Sequence, residues 1–362
     1  MSGDRNDGLR VALIGCGAIG RRRARVVARP MAGKLVVAVD RDLARAHRVA
    51  EDVGCEADTD WHAAVGREDV DAVIVSTTHD VLAAIAIAAL RNGKHVLVEK
   101  PMARTPAEAE AVVREAASPG GGRAADRRPL VLKVGFNHRH HAAVAGAHEA
   151  LRRGDLGEPF FIRCRYGHGG RPGYEREWRT VPEIAGGGEL LDQGIHALDL
   201  FRWFLGDFVE GVGFAPTYFW RSEGDRLTRR DTVEDNAFGL FRTATAQVAT
   251  LHVSWTQWKN LFSFEIFGRD GYAIVDGLGG SYGAERLTLG RRLPASGPPE
   301  EQRAEFSGPD TSWEQEWQEF LAAIHEERQP LGSAHDAHEA LKMVHAIYES
   351  QRTGALVRLI PA

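Results

Sequence analysis

The 362-residue chain has few cysteines, no excess of positive charge and no long apolar run. Cys16, Cys55 and Cys164 are an odd number and widely spaced, which argues against a disulfide framework and a structural zinc site. The net charge of -5 offers no surplus of cations, so nucleic acid is not expected as a partner. The longest strongly apolar run, residues 81–90, is about half the length of a membrane span, and we interpret it as a buried helix. The polar residues 1–8 lack the apolar core of a signal peptide, so we expect a cytoplasmic protein.

What the chain does contain is typical of a two-domain globular protein, with 43% hydrophobic and 26% charged residues. Its first third alternates short apolar runs with helical stretches, which predicts a parallel sheet covered on both faces. The predicted strands are residues 10–14, 35–39, 72–76, 95–98 and 130–136.

After Phe136 the pattern changes to strands joined by tight turns. Apolar and polar residues alternate in residues 251–256, as expected where one face of a sheet covers a core. The predicted strands are residues 159–166, 235–242, 246–255, 261–267 and 272–275. We therefore predict an α/β domain over residues 1–136 and an α+β domain over residues 137–362.

A glycine motif, Gly-x-Gly-x-x-Gly, stands between the first predicted strand and a helix. Gly15 permits a tight turn, Gly17 lets a pyrophosphate approach the backbone, and Gly20 allows the helix to pack closely on the strand. Ala18 and Ile19 open the helix, whose N-terminal N–H groups and dipole favour phosphate. The motif predicts a dinucleotide site.

An acidic residue, Asp40, ends the second predicted strand twenty residues beyond Gly20. A carboxylate there accepts hydrogen bonds from the ribose hydroxyls and repels a 2′-phosphate, so we expect NAD as the cofactor rather than NADP. Two alternatives stay open: Asp40 caps the next helix, or Arg41 and Arg21 neutralise a phosphate.

Two further motifs carry polar groups suited to catalysis. Glu99-Lys100-Pro101 follows the strand 95–98, at the sheet edge where ligands of α/β folds collect. Asp192 and His196 are four apart in a predicted helix over residues 189–205, which places them on one face. The glycine run 186–188 before this helix would let its backbone approach a bound ligand.

Together and in this order, these motifs resemble the glucose–fructose oxidoreductase / inositol dehydrogenase / rhizopine-catabolism (Gfo/Idh/MocA) family, over nearly the whole chain. The resemblance implies a Rossmann domain joined to an α+β domain with an open-faced, mainly antiparallel sheet. It also implies a homodimer or homotetramer formed through the open sheet face. Where the family commonly has Thr-Pro-Asn, this chain has Thr77-Thr78-His79. We still expect Thr77, His79, Glu99 and Lys100 to line the cofactor.

The resemblance further implies that Lys100 and His196 flank a reacting hydroxyl. Histidine has the intrinsic pKa for a base near neutrality, and a lysine ammonium can stabilise a developing alkoxide. Asp192 would hold the substrate or tune His196. Proton transfer by Lys100 is the alternative, and a buried core histidine and a surface salt bridge are the structural alternatives for His196 and Lys100.

A loop over residues 166–179, rich in glycine, aromatic and charged residues, is expected to cover the substrate. An oligomer contact is its alternative role. The segment 137–141 contains three histidines, but we interpret it as a helix start and substrate wall and expect no metal. The candidate substrate-binding residues are Arg139, His168, Arg171, Tyr174, Trp178, Asp192 and His196.

These observations predict an NAD-dependent dehydrogenase that oxidises a secondary hydroxyl of a sugar, aminosugar or cyclitol to a ketone. Because the loop 166–179 is similar to that of oxidoreductases in aminoglycoside assembly, an aminoglycoside ring hydroxyl in antibiotic biosynthesis is the finer expectation. The alternatives are an NAD-dependent glycoside hydrolase of the same fold and a non-catalytic NAD(P)-binding sensor or co-repressor.

Overall fold

A computed structural model of the chain describes residues 8–30, 32–118, 129–220, 233–293, 295 and 297–359. The chain forms two compact units. The first comprises Met1–Phe136 with Trp313–His338, and the second comprises Asn137–Ser312 with Glu339–Ala362.

The first unit contains a six-stranded, all-parallel sheet in the order β3-β2-β1-β4-β5-β6. The buried residues of its central strands, 11–14 and 72–75, are all apolar, as expected for a parallel sheet that helices cover on both faces. The strands are β1 (Arg10–Ile14), β2 (Lys34–Val39), β3 (Glu56–Asp58), β4 (Ala72–Val75), β5 (His95–Val98) and β6 (Leu132–Val134). The parallel Rossmann sheet predicted from the sequence is confirmed.

Five helices follow the strands of this sheet. Three begin at a side chain that accepts a backbone N–H of the first turn: Asp42, Asp60 and Thr105. The helices are α1 (Ala18–Val27), α2 (Leu43–Val53), α3 (Trp61–Gly66), α4 (His79–Arg91) and α5 (Pro106–Ala117).

The second unit contains a nine-stranded sheet in the order β14-β13-β12-β11-β7-β10-β9-β8-β15. The pair β7·β10 is parallel and the other pairs are antiparallel, as the sequence predicts for a mainly antiparallel sheet. The strands are β7 (Pro159–Gly167), β8 (Phe208–Phe214), β9 (Asn236–Thr243), β10 (Val248–Ser254), β11 (Leu261–Gly268), β12 (Gly271–Asp276), β13 (Glu285–Arg291), β14 (Glu300–Phe306) and β15 (Val357–Arg358).

The remaining helices are α6 (Ala142–Arg152), α7 (Pro182–Ala185), α8 (Ile195–Leu205), α9 (Ser312–His325) and α10 (Ala334–Thr353). A π-helical turn, Leu190–Gly194, directly precedes α8. Among the described residues, none of these helices combines the length and the apolar character needed to cross a membrane.

The helix α9 packs in the core of the first unit. Trp317 is 1% exposed, and its Nε1 donates a hydrogen bond to the carbonyl of Ala32 at 2.8 Å. Phe320 is fully buried in the same apolar cluster. The predicted second domain includes residues 313–338, whereas the structure groups them with the first compact unit. The reason is that apolar residues of α9 pack in the core of the parallel sheet.

Candidate active site and cofactor-binding turn

The turn between β1 and α1 requires glycine at two of its three glycine positions. Gly15 has a φ of +97°, and a β-carbon there would lie 2.4 Å from the carbonyl oxygen of Ser76. A β-carbon at Gly20 would lie 1.8 Å from the carbonyl oxygen of Gly15. Larger residues would therefore displace α1 from the sheet.

Gly17 is different, because a β-carbon there would meet no atom of the described residues within 4 Å. It immediately precedes Ala18, the first residue of α1, whose opening N–H groups have no partner within the helix by geometry. The space beside Gly17 and the helix N-terminus together fit a dinucleotide phosphate. Gly15, Gly17, Ala18, Ile19 and Gly20 would hold it there.

Asp40 braces this turn. Its Oδ2 accepts a hydrogen bond from the N–H of Cys16 at 2.8 Å, and its Oδ1 accepts one from Asp42 at 2.9 Å. The N-terminal cap of α2 is Asp42, whose side chain accepts the N–H of Ala44 at 3.1 Å. The alternative in which Asp40 caps this helix is therefore wrong. Arg41 is exposed. Contacts of Asp40 and Arg41 with a cofactor stay predictions.

Glu99 forms a buried ion network. Arg23, which is 1% exposed, donates through Nε to Oε1 of Glu99 at 2.8 Å. Nη1 of Arg23 also contacts Oε2 of Glu316, in α9, at 2.6 Å. Glu99 thus anchors the start of the loop that carries Lys100, a role that the motif alone does not reveal.

Lys100 follows β5 and is half-buried, with a cis peptide bond to Pro101. Thr77 follows the neighbouring strand β4, and its hydroxyl donates to the carbonyl of Thr78 at 3.1 Å. His79 is buried and begins α4. These residues follow the carboxyl ends of β4, which pairs with β1, and of β5, which pairs with β4, at the edge where ligands of parallel sheets bind.

In the second unit, Asp192 lies in the π-helical turn and His196 in the first turn of α8. The structure differs here from the predicted single α-helix over residues 189–205. A π-turn changes the angle between side chains four apart, and such turns are frequent at functional sites.

Asp192 is bound by an arginine that sequence reasoning missed. Nε of Arg179 donates to Oδ2 of Asp192 at 3.1 Å, and the guanidinium also contacts Glu177 at 3.3 Å. It lies 4.7 Å from the ring centre of Trp178. The alternation Glu-x-Glu-Trp-Arg in residues 175–179 could have indicated such an ion chain.

His196 stacks on a second histidine, His138, with ring centres 3.9 Å apart and an angle of 24° between planes. The ring nitrogens of His138 contact Oδ1 of Asn137 at 3.2 Å and the hydroxyl of Tyr166 at 3.1 Å. Since Nδ2 of Asn137 donates to Ser312 at 3.0 Å, its Oδ1 accepts from His138.

Arg139, a predicted substrate contact, is 4% exposed and binds Asp199 of α8 at 2.7 Å through Nε. Tyr174 is 2% exposed, and its ring packs at 4.9 Å from Trp255. Both side chains are therefore buried against other residues of the second unit. Their contact with a substrate stays a prediction.

His168 and Arg171 lie in the first half of the loop 166–179, where His168 is half-buried and Arg171 is exposed. Nδ1 of His168 accepts the N–H of Gly170 at 2.9 Å, and burial lowers the pKa of this imidazole. Arg171 is exposed and pairs with Glu177 at 2.6 Å.

The glycine run before the π-turn makes room for the protein's own groups. A β-carbon at Gly188 would lie 1.8 Å from the carbonyl oxygen of Glu234, and one at Gly187 would lie 2.2 Å from the hydroxyl of Tyr348. The buried carboxylate of Glu234 accepts the N–H groups of Gly188 and Leu190 at 2.9 and 3.0 Å and the Tyr348 hydroxyl at 2.9 Å. Burial raises the pKa of Glu234 to about 7. The run makes room for this carboxylate, and its approach to a bound ligand stays a prediction.

Two family models match the chain. The model described as an oxidoreductase family with an NAD-binding Rossmann fold covers residues 9–121, and the GFO/IDH/MocA C-terminal domain covers residues 144–274. The 1,5-anhydro-D-fructose reductase of Ensifer adhaerens is 31% identical over 268 residues, 73% of this chain and 75% of the relative.

The chain belongs to the Gfo/Idh/MocA oxidoreductase family. Inositol 2-dehydrogenase 4 of Saccharopolyspora erythraea is 32% identical over 209 residues, 57% of each chain. A solved structure of levoglucosan dehydrogenase in complex with NADH and L-sorbose matches with a TM-score of 0.86 at 24% identity. The match covers 98% of this chain and 100% of the levoglucosan dehydrogenase chain, which shows that the two proteins share a fold.

As a member of this family, the protein is an NAD-dependent oxidoreductase, and the Rossmann unit is its NAD-binding part. Among the described residues, no group of three or more histidine, cysteine or acidic side chains is arranged to hold a metal ion.

Proposed function

We propose that this Gfo/Idh/MocA protein oxidises a secondary hydroxyl of a sugar or cyclitol to a ketone, with NAD as the hydride acceptor. The observation that carries the proposal is the polar cluster of the second unit, where the buried His196 stacks on His138 and Asp192 is paired with Arg179. The names of the relatives, an anhydro-sugar reductase and an inositol dehydrogenase, support the substrate class.

The oxidised carbon must lose a hydride while its hydroxyl loses a proton. NAD, when bound, supplies the hydride acceptor at C4 of its nicotinamide ring. His196 takes the hydroxyl proton and passes it to water, and Lys100 stabilises the alkoxide that develops on the substrate oxygen. Asp192 accepts a hydrogen bond from the substrate.

A finer proposal is that the substrate is a ring hydroxyl of an aminosugar such as an aminoglycoside. Its support is the loop 166–179, whose aromatic and charged side chains suit a polar ring bearing amines. His168, Arg171 and Trp178 would contact it, and each is partly or fully exposed in this unit.

The direct test is NAD reduction measured against a panel of hexoses, anhydro-sugars, cyclitols and aminoglycosides. We expect turnover on at least one class, and activity on simple hexoses alone would remove the aminoglycoside proposal. Release of free sugar without net NADH would identify a glycoside hydrolase. Tight NAD binding with no turnover on any panel member would favour the sensor.

We also propose a homodimer or homotetramer formed through the open sheet face of the second unit. Phe214, Phe238 and Leu240 are 66%, 37% and 45% exposed, and they lie on one face of the neighbouring strands β8 and β9. This apolar patch suits contact with a second copy. Light scattering should give an oligomer for the wild type and a monomer for Leu240→Glu; a wild-type monomer would refute the proposal.

A further inference from the structure

Five aromatic side chains of the second unit form a continuous series of edge-to-face contacts. The series begins at the fully buried Trp255, whose ring centre lies 4.9 Å from that of Tyr174, which lies 5.6 Å from that of Trp220. It continues from Trp220 to Phe219 at 5.1 Å and ends at Trp258, 5.0 Å from Phe219 with the ring planes 86° apart. Phe219 and Trp258 are 58% and 63% exposed, and we call this pair the aromatic corner.

The inner end of the series lies beside the polar cluster assigned to the substrate. Tyr174 belongs to the loop 166–179, and burial, followed by the charge of Asp192, raises the pKa of its hydroxyl. Tyr174 is therefore within electrostatic reach of Asp192. The ring of His168, in the same loop, lies 5.8 Å from the ring of Tyr174. The loop predicted to cover the substrate thus connects Asp192 with the aromatic corner.

The backbone that carries Phe219 is fixed by a buried carboxylate. Asp235 is fully buried and accepts three consecutive N–H groups, those of residues 218–220, at 2.8, 2.6 and 2.8 Å. Nε1 of Trp220 also donates to the carbonyl of Trp255 at 2.9 Å. Hydrogen bonds to a carboxylate are among the stronger ones in proteins. The segment is therefore held in place although the ring of Phe219 faces solvent.

Trp258 has a backbone conformation that large residues rarely adopt. Its φ is +57°, in the left-handed region, which costs energy that the surrounding structure must offset. The loop 166–179 packs directly on it, because a β-carbon at Gly169 would lie 3.1 Å from Cα of Trp258. The N–H of Gln257 donates to the carbonyl of His168 at 3.2 Å. Strained residues of this kind cluster at ligand-binding sites.

The size and chemistry of the aromatic corner favour a sugar ring over a second protein chain. Aromatic side chains offer about 200 Å² each, so Phe219 at 58% and Trp258 at 63% exposure present about 250 Å². A stable protein interface needs about 800 Å² on each partner. The C–H groups of a sugar ring pack on the electron-rich faces of aromatic rings. Gln257 and Lys259, the neighbours of Trp258, supply donors for its hydroxyls.

We propose that the aromatic corner is a binding subsite for a second sugar ring, so that the preferred substrate is a glycoside of two or more rings. One ring is oxidised beside Asp192 and His196, and the ring attached to it packs on Phe219 and Trp258. The substrate class rests on the proposed sugar oxidation. The binding of a second ring does not, since it is measured without turnover.

Calorimetric titration of the NADH-loaded protein with matched one-ring and two-ring sugars tests this subsite. The pairs are glucose and cellobiose, galactose and lactose, myo-inositol and galactinol, and 2-deoxystreptamine and neamine. Phe219→Ala and Trp258→Asn each remove one ring, and asparagine tolerates the left-handed backbone at position 258. Trp258→Phe keeps an aromatic face. The matched control Phe160→Ala removes an exposed phenylalanine near the start of β7, at the opposite end of that strand from the loop 166–179.

In the wild type we expect at least one two-ring sugar to bind about tenfold more tightly than its one-ring partner, the size of one aromatic contact. Phe219→Ala and Trp258→Asn should each remove most of this preference and leave one-ring affinity within about twofold of wild type. Trp258→Phe should keep most of the preference, and Phe160→Ala all of it. On an accepted two-ring substrate, the loss should appear in KM rather than kcat.

A wild type with no preference for any two-ring sugar would overturn the inference, as would an equal loss of preference in Phe160→Ala. Light scattering that shows a smaller assembly for Trp258→Asn, with the preference intact, would also overturn it, because the corner would then be an interface between copies. Failure of the wild type to reduce NAD with any sugar would instead refute the proposed function, while the calorimetric preference would still decide the subsite.

Discussion

The nucleotide turn and the Asp192–His196 segment are built by opposite means. The turn takes its shape from Gly15 and Gly20, where a side chain would collide with backbone nearby in the fold. The second segment depends on side chains distant in sequence, with Glu234 and Tyr348 at its start and Arg179 and His138 beside its functional groups. Steric exclusion shapes the first site, and buried charge shapes the second.

This difference determines how each site responds to substitution and to pH. A steric requirement at a glycine is absolute and independent of pH. A buried carboxylate responds to the loss of its partner and to protonation. Variants in the second unit should therefore change pH dependence, whereas variants in the turn should change affinity or folding.

The largest effect is expected at His196. Replacement His196→Asn removes the proposed base and should lower kcat by about a thousandfold, with NAD affinity unchanged, because general-base catalysis contributes on that order. Steady-state kinetics and NAD titration measure both. The matched control His252→Asn changes a histidine that stacks on Phe238 in the sheet and should leave kcat within about threefold of wild type. Equal losses in both variants would contradict a specific role.

Glu234 tests how the second segment responds when a buried carboxyl group ionises. Its folded pKa of about 7 lies above the ordinary 4.5, so the folded state holds a proton that the unfolded chain has released in this window. Stability should then fall as pH rises from 4.5 to 7. Relative to Glu234→Gln, the wild type should lose up to about 3 kcal/mol of unfolding free energy, from the linkage relation.

Denaturant unfolding at several pH values measures this loss. The control Glu149→Gln alters an exposed glutamate whose pKa is lowered by Arg152, and it should show no such fall. A difference between wild type and Glu234→Gln that stays constant with pH would mean that Glu234 remains charged throughout.

Substitutions at Gly17 and Gly20 should separate the affinity for NAD from folding stability within one turn. Gly17→Ala should fold like the wild type but bind NAD about 30-fold more weakly, or 2 kcal/mol, because its methyl group enters the space assigned to the pyrophosphate. Gly20→Ala should lower the melting temperature, since the added carbon overlaps the Gly15 carbonyl. Calorimetric titration and thermal unfolding read the two effects, and unchanged NAD binding in Gly17→Ala would place the cofactor elsewhere.

The smallest effect is expected at Asp40, where one substitution can separate the hydrogen bond to the turn from the negative charge of the carboxylate. Asp40→Asn keeps an oxygen for the Cys16 N–H but removes the charge that repels a 2′-phosphate. The ratio of kcat/KM for NAD over NADP should fall by about tenfold, as expected for loss of one charge contact. A ratio that does not change would assign the preference to other residues.

Sequence patterns predicted the parts of the protein that depend on local rules. The parallel strands, the glycine turn and the α+β second unit follow from apolar runs, glycine spacing and alternation, and the structure confirms these elements. The strands β3, β8, β13, β14 and β15 were not predicted. Of these, β14 is mostly exposed and rich in charged residues, so it carries no apolar signal.

The site beyond its motifs could not be predicted, because its contacts join distant residues. Arg23 meets Glu316 across 293 positions, and Glu234 meets Tyr348 across 114. The π-turn at Asp192 was also missed, since helical spacing does not distinguish a π-turn from an α-turn. No periodicity indicates which buried charges will pair.

The most direct test of the account is transfer of deuterium from a carbon-deuterated sugar to the cofactor. With an accepted sugar, mass spectrometry should find deuterium at C4 of the reduced nicotinamide, and His196→Asn should slow its appearance by about the thousandfold expected above. Reduced cofactor without label, or labelled cofactor formed at the wild-type rate by His196→Asn, would contradict the proposed hydride transfer or the proposed base.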